Sequence, residues 1–133
     1  DALDALNWCI NIGGQKELIS RSKKNLLTVQ NWINERDWVE FLAKDPATYS
    51  STSICFKFTH ADFEKLDEDN QKKLVKEVCG SIEKEDAGYD INSYKDAPAG
   101  IRIWGGATVE SEDIQKLLPW IEWAFFETLE RYK

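Results

Sequence analysis

One residue in this chain has both the type and the setting to grip a small acid: Arg102. It stands in the run Ile101-Arg102-Ile103-Trp104. Period-two spacing predicts a strand there, with Ile101 and Ile103 on one face and Arg102 and Trp104 on the other. Small residues flank it, Pro98-Ala99-Gly100 before and Gly105-Gly106 after. A guanidinium rising from such a strand can fork two parallel N–H donors onto the two oxygens of a carboxylate. The competing reading is an internal salt bridge or a surface strand arginine, since strand arginines often pair with internal acids.

Other chemistry is hard to assemble. The single histidine, His60, lies in the polar turn-like stretch Thr59-His60-Ala61-Asp62, with no serine or cysteine nucleophile paired to it. It reads as a surface residue, without the partners acid–base work needs. Gly13-Gly14 and Gly105-Gly106 are pairs and not phosphate-binding loops. The acidic groups Asp67 to Asp69 and Glu83 to Asp86 lack the alternating ligands and glycine of a calcium loop, and read as solvated helix ends. Cys9, Cys55 and Cys79 are odd in number and widely spaced, with no zinc-ligand spacing; they read as reduced, mostly buried thiols. No catalytic, cofactor-binding or metal-binding residue is assigned.

The elements that must position Arg102 follow from periodicity. Leu3, Leu6 and Ile10 predict a helix from Asp1 to Ile12, broken by Gly13-Gly14. A second helix is expected from Gln15 to Asn34, with Leu18, Leu26, Val29 and Ile33 near one face and Arg21, Lys23 and Lys24 toward water. Trp38 to Ala43 reads as a short strand ended by Asp45-Pro46. Ser53 to Phe58 is the clearest strand, alternating Ile54, Phe56 and Phe58 with Ser53, Cys55 and Lys57. A third helix starts near Glu68 with Leu74, Val75, Val78 and Ile82 as its stripe. A brief strand is expected at Tyr89 to Ile91, followed by a loop from Asn92 to Gly100. The last helix opens at the acidic Glu110-Ser111-Glu112-Asp113, with Ile114, Leu117, Ile121 and Phe125 inward. Pro119 either kinks it or starts a new piece. Trp120, Trp123, Phe125 and Phe126 are too broad a set for one narrow stripe, so part of it is expected at an interface.

The order α-α-β-β-α-β-β-α predicts an α+β fold in which helices cover one face of a small, largely antiparallel sheet. The other face, bearing Cys55, Lys57, Arg102 and Trp104, is left to meet a partner or a larger domain. The length of 133 residues fits one domain, 1–133. With 42% hydrophobic residues and a net charge of −7, the composition favours a folded protein and argues against a nucleic-acid ligand. No apolar run approaches the ~20 residues of a membrane span. No signal peptide is visible, and a cytoplasmic location is expected. A helical pattern under way by Ala2 suits a segment whose upstream part lies elsewhere.

The stretch Asp96-Ala97-Pro98-Ala99-Gly100-Ile101-Arg102-Ile103-Trp104-Gly105-Gly106-Ala107-Thr108-Val109-Glu110 resembles the C-terminal signature of phosphoserine aminotransferases, in the form seen in alpha-proteobacteria and some archaea. The resemblance continues through Leu117-Leu118-Pro119-Trp120, Asp45-Pro46-Ala47-Thr48 and Ala5-Leu6-Asn7-Trp8, and so runs along nearly the whole chain in consistent order. It implies the C-terminal small domain of a class V, fold-type I enzyme that transfers an amino group between phosphoserine and 2-oxoglutarate. It further implies a homodimer, and pyridoxal phosphate held by a lysine of a large domain absent from this chain. The arginine at the position of Arg102 is then the one that binds the α-carboxylate of the phosphorylated amino acid.

Three positions depart from that pattern. Lys95 stands where arginine is usual near the substrate phosphate, keeping the charge and losing the fork. Tyr49 replaces an arginine and Gly105 a cysteine. The alternative is a non-catalytic α+β binding or interaction module.

Overall fold

The computed structural model describes residues 1–133. Helix α1 (Ala2–Asn11) is capped by Asp1, whose carboxylate accepts from the Asp4 N–H at 2.9 Å. The chain turns at Gly13 and Gly14, both at positive φ (120° and 71°), a region in which a side chain would be strained. Helix α2 (Gly14–Asn34) follows, then strand β1 (Val39–Phe41), a 3-10 turn at Pro46–Thr48 and strand β2 (Ser53–Phe58). A short helix α3 (Ala61–Glu64) and the longer α4 (Glu68–Lys84) lead to strand β3 (Ile101–Trp104) and helix α5 (Ser111–Glu130).

The three strands form an antiparallel sheet in the order β1-β2-β3. Ile54, Phe56 and Phe58 of β2 and Ile101 and Ile103 of β3 are buried against the helices. They join Val29 and Trp32 of α2, Leu74, Val78 and Ile82 of α4, and Ile121 and Phe125 of α5 in one apolar cluster. Aromatic stacking stiffens its centre: Phe125 lies 4.0 Å from Phe58 and 5.2 Å from Trp38, centroid to centroid. The opposite sheet face is only partly covered, so the α+β reading with a one-sided sheet holds.

Several local expectations change. The first strand is limited to Val39–Phe41. No strand forms at Tyr89 to Ile91; instead Asn92 makes a single bridge to Ile101, with Arg102 N–H donating to the Ile91 carbonyl at 2.8 Å. Asp90, at φ 53°, bends the segment too sharply for a longer ladder. In α5 the inward residue is Leu118, while Leu117 is only partly buried. Pro119 lies within that one continuous helix and starts no new piece. The polar Thr59-His60-Ala61-Asp62 stretch is the start of α3: His60 Nδ1 accepts from the Asp62 N–H at 3.2 Å, and the ring is about a third exposed. Of the cysteines only Cys79 is buried; Cys9 and Cys55 are intermediate. No helix is long and apolar enough to cross a membrane.

Candidate functional site

The open face of the sheet is laid out by strand register. Cys55 pairs with Arg102, Ser53 with Trp104, and Glu40 with Lys57. Lys57 Nζ and Glu40 Oε1 close an ion pair at 2.8 Å, so that cation is already partnered. Trp104 folds its ring over Gly106, where a Cβ would fall 2.5 Å from the indole. Between these two, Arg102 is the cation of the face with donors to spare.

Its surroundings come from the 90–94 segment, which runs along the outer edge of β3. The Asn92–Ile101 bridge, the Arg102-to-Ile91 bond and a bond from the Ser93 N–H to the Gly100 carbonyl at 3.2 Å fix that segment. Asp90 and Tyr94 are thereby set on either side of the bridge. Arg102 Nη2 lies 3.2 Å from Asp90 Oδ2 and donates to the Asp90 carbonyl at 3.3 Å. The guanidinium carbon sits 4.6 Å from the centre of the Tyr94 ring. Nε is buried and has no hydrogen-bond partner. The arginine side chain is 12% exposed, whereas that of Asp90 is 90% exposed, so the pair is open to water on the acid's side.

Arg36 shows what a structural arginine looks like in the same chain. Its Nε and Nη2 both donate to Glu122 Oε2, at 3.1 and 2.9 Å, and Nη1 donates to the Trp32 carbonyl at 2.8 Å. Arg102 has the same edge, Nε and Nη2, only half used.

Two cavities flank this point. An apolar groove of about 290 Å³ includes Tyr89, Asp90, Ile91, Trp104 and Leu117 in its wall. A smaller one of about 160 Å³ is lined by Lys72 and Lys76 of α4 together with Ser93, Tyr94 and Lys95. Lys95 is therefore exposed beside two further lysines. Lys72 is engaged by Glu68 at 2.9 Å, and that hydrogen bond raises its pKa above the ordinary lysine value. Tyr49 lies elsewhere, stacked on Phe41 at 3.9 Å beside a third cavity that reaches Cys55.

The fit of pyridoxal phosphate can be judged from the lysines. A Schiff-base lysine needs a desolvated ammonium whose charge is disfavoured. Only Lys57 and Lys72 are even half-buried, and each is held by a carboxylate. The lysines of this chain do not fit that cofactor.

Residues that sequence reading passed over hold the frame. Asn25, buried on α2, donates through Nδ2 to the carbonyls of Gly105 and Val109 at 3.0 Å and of Gly106 at 3.3 Å. Arg21, expected to face water, instead donates from Nε to the Ala107 carbonyl at 2.7 Å and pairs with Glu110. The signal for Asn25 was its spacing, since Ser22, Asn25, Val29 and Trp32 share the inward stripe of α2. No signal identified Asp90 or Tyr94, whose partner is reached only through the fold.

Fold and face together define the class: an α+β domain whose sheet is packed by helices on one side and presents a half-satisfied arginine on the other. No family model matches the chain. Over 125 residues, 94% of its length, it is 47% identical to a protein named phosphoserine aminotransferase from Methanosarcina barkeri. Over 125 residues it is 43% identical to one of the same name from Methanosarcina mazei. The match occupies 31% of each relative, so the chain spans about a third of the length of the curated relatives it matches. Along nearly its whole length it is similar to a segment of two proteins of that name.

Proposed function

We propose that this chain is the C-terminal small domain of a phosphoserine aminotransferase, and that Arg102 is its contribution to substrate binding. The observation that carries the reading is the half-used donor edge of Arg102 on the open sheet face, within a sequence homologous to enzymes of that name. A carboxylate arriving at that edge gains two charge-assisted hydrogen bonds in place of one weak one, and it satisfies a buried N–H.

Under this reading the enzyme exchanges an amino group between phosphoserine and 2-oxoglutarate, as a cytoplasmic homodimer. Pyridoxal phosphate, the group that supports transamination, is held by a large domain beyond this segment. Lys95, beside Lys72 and Lys76, gives the substrate phosphate a cationic neighbourhood without the geometric fork of an arginine. Two apolar surfaces favour a covering partner over a free-standing module. Leu3, Leu6 and Ile10 of α1 are 67%, 60% and 71% exposed, and Trp120 and Trp123 stack edge-on at 5.6 Å on the outside of α5.

The test is an amino-transfer assay on a chain of the relatives' length that carries this segment. Arg102→Ala is expected to raise KM for phosphoserine and for 2-oxoglutarate about 30-fold or more, as for removal of one partner of a buried charge pair. Unchanged KM values for both acids would sink the assignment of Arg102.

A further inference from the structure

We propose that Asp90 and Tyr94 form a displaceable clamp on Arg102, with Asp90 occupying the place that a ligand carboxylate takes and Tyr94 acting as a positioning residue for the guanidinium. The proposal rests on the reading of Arg102 as a carboxylate binder.

Three observations carry it. First, Asp90 takes only the Nη2 end of the donor edge, at 3.2 Å, and leaves buried Nε without a partner. Arg36 shows the alternative, with Nε and Nη2 both on Glu122 at 3.1 and 2.9 Å. An acid placed for permanent structure would be expected to satisfy both donors, because an unpaired buried N–H is costly. Second, the Asp90 side chain is 90% exposed, so its hold on Nη2 is screened by water and readily given up. Third, the guanidinium carbon lies over the Tyr94 ring, 4.6 Å from its centre. A ring–cation contact of this kind holds the guanidinium in place without supplying an acceptor oxygen to its donors. Asp90 and Tyr94 come from the two sides of the Asn92–Ile101 bridge, so one backbone anchor sets both.

The exchange is one of carboxylates and involves no covalent step. In the free protein Asp90 keeps the arginine's charge partnered and its side chain ordered. A bidentate ligand then wins by engaging Nε, once the groups that close it from water part, together with one Nη2 hydrogen; the Asp90 carboxylate swings into solvent while its backbone carbonyl keeps the other. A ligand with a single acceptor oxygen has no such advantage, so the clamp favours planar carboxylates over monodentate anions.

The experiment is a titration of an arginine-15N-labelled chain of the relatives' length that carries this segment with O-phospho-L-serine, followed at the Arg102 Nε–Hε resonance. Asp90→Asn is the informative variant, because Asn tolerates the left-handed backbone (φ 53°) that Asp90 adopts and removes only the charge. It is expected to tighten apparent binding roughly two- to fivefold, the loss of a water-screened competing pair. Tyr94→Leu should weaken binding and broaden the Nε–Hε signal, while Tyr94→Phe, which keeps the ring, should restore both. If phosphoserine shifts the Arg102 resonance but Asp90→Asn binds no more tightly, the clamp is refuted and the carboxylate reading stands. If phosphoserine leaves that resonance unmoved in wild type and in Asp90→Asn, the carboxylate reading fails and the clamp fails with it.

Discussion

Asn25 of α2 donates a hydrogen bond to the carbonyl of Gly105, eighty residues further along the chain, at 3.0 Å. The same amide nitrogen reaches the carbonyls of Gly106 and Val109, so one side chain gathers the turn between β3 and α5. That turn begins immediately after Trp104 and sets where β3 ends. Replacing Asn25 by Ala strips these buried carbonyls of their donor and is expected to cost about 2–3 kcal/mol of stability, read from urea denaturation. A loss under about 0.5 kcal/mol would mean that water substitutes for the amide.

Two glycines near Arg102 leave no room for a side chain. A Cβ on Gly100 would fall 2.5 Å from the Phe56 carbonyl oxygen, in the backbone of the neighbouring strand. On Gly105 it would meet Ile54 Cδ1 at 2.6 Å and the Ser51 carbonyl at 3.0 Å. Gly100→Ala is expected to destabilise by about 2 kcal/mol, since backbone atoms cannot step aside cheaply. Gly105→Cys is expected to cost somewhat less, because Ile54 can change rotamer. Thermal unfolding of the two variants would rank them.

Burial pushes the Cys79 thiol up to about 12, with Glu83 adding to the shift. The thiolate is the reactive form, so Cys79 is expected to resist alkylation at neutral pH until the chain unfolds. Mass spectrometry after iodoacetamide treatment, with and without urea, checks this; labelling of Cys79 in the folded chain at the rate of a free thiol would contradict its burial.

Acid is expected to loosen the protein in a definite window. A hydrogen bond from Lys65 holds Asp62 below its ordinary value of 3.8. A backbone hydrogen bond at the start of α5, with Lys24 nearby, holds Glu112 below its ordinary 4.5. Both folded values are depressed, so each contribution is fully present above the unfolded value and is lost as pH falls through the folded one. Stability measured by urea should therefore decline below about pH 4.5. Asp62→Asn and Glu112→Gln should each flatten that decline, and a slope unchanged in both would remove these two groups from the account.

The apolar stripe of α1 should be dispensable for the stability of this chain. Leu6→Lys is expected to change the unfolding free energy by no more than about 0.5 kcal/mol, because Leu6 is 60% exposed and lies outside the core cluster. The same substitution should weaken attachment of whatever covers α1, which co-purification of a lysine-substituted full-length chain would register. A large stability loss in urea would show that α1 packs more tightly than its exposure indicates.

Sequence alone determined the class of fold, because hydrophobic periods of two and of 3.6 residues survive in any context that buries one face. It placed Ile54, Phe56 and Phe58 against the helices and Arg102 away from them, for alternation along a strand leaves no third choice. It also carried the kinship, which is written in residue order. Tertiary structure decided what Arg102 touches. Asp90 and Tyr94 lie in an irregular segment without periodicity, and only the Asn92–Ile101 bridge brings them to the arginine. The same holds for Arg21 and Asn25: their partners lie in the turn after β3, at separations where sequence carries no distance information. Side-chain pairing across such gaps depends on how α2, β3 and α5 pack, and that is a property of the whole core.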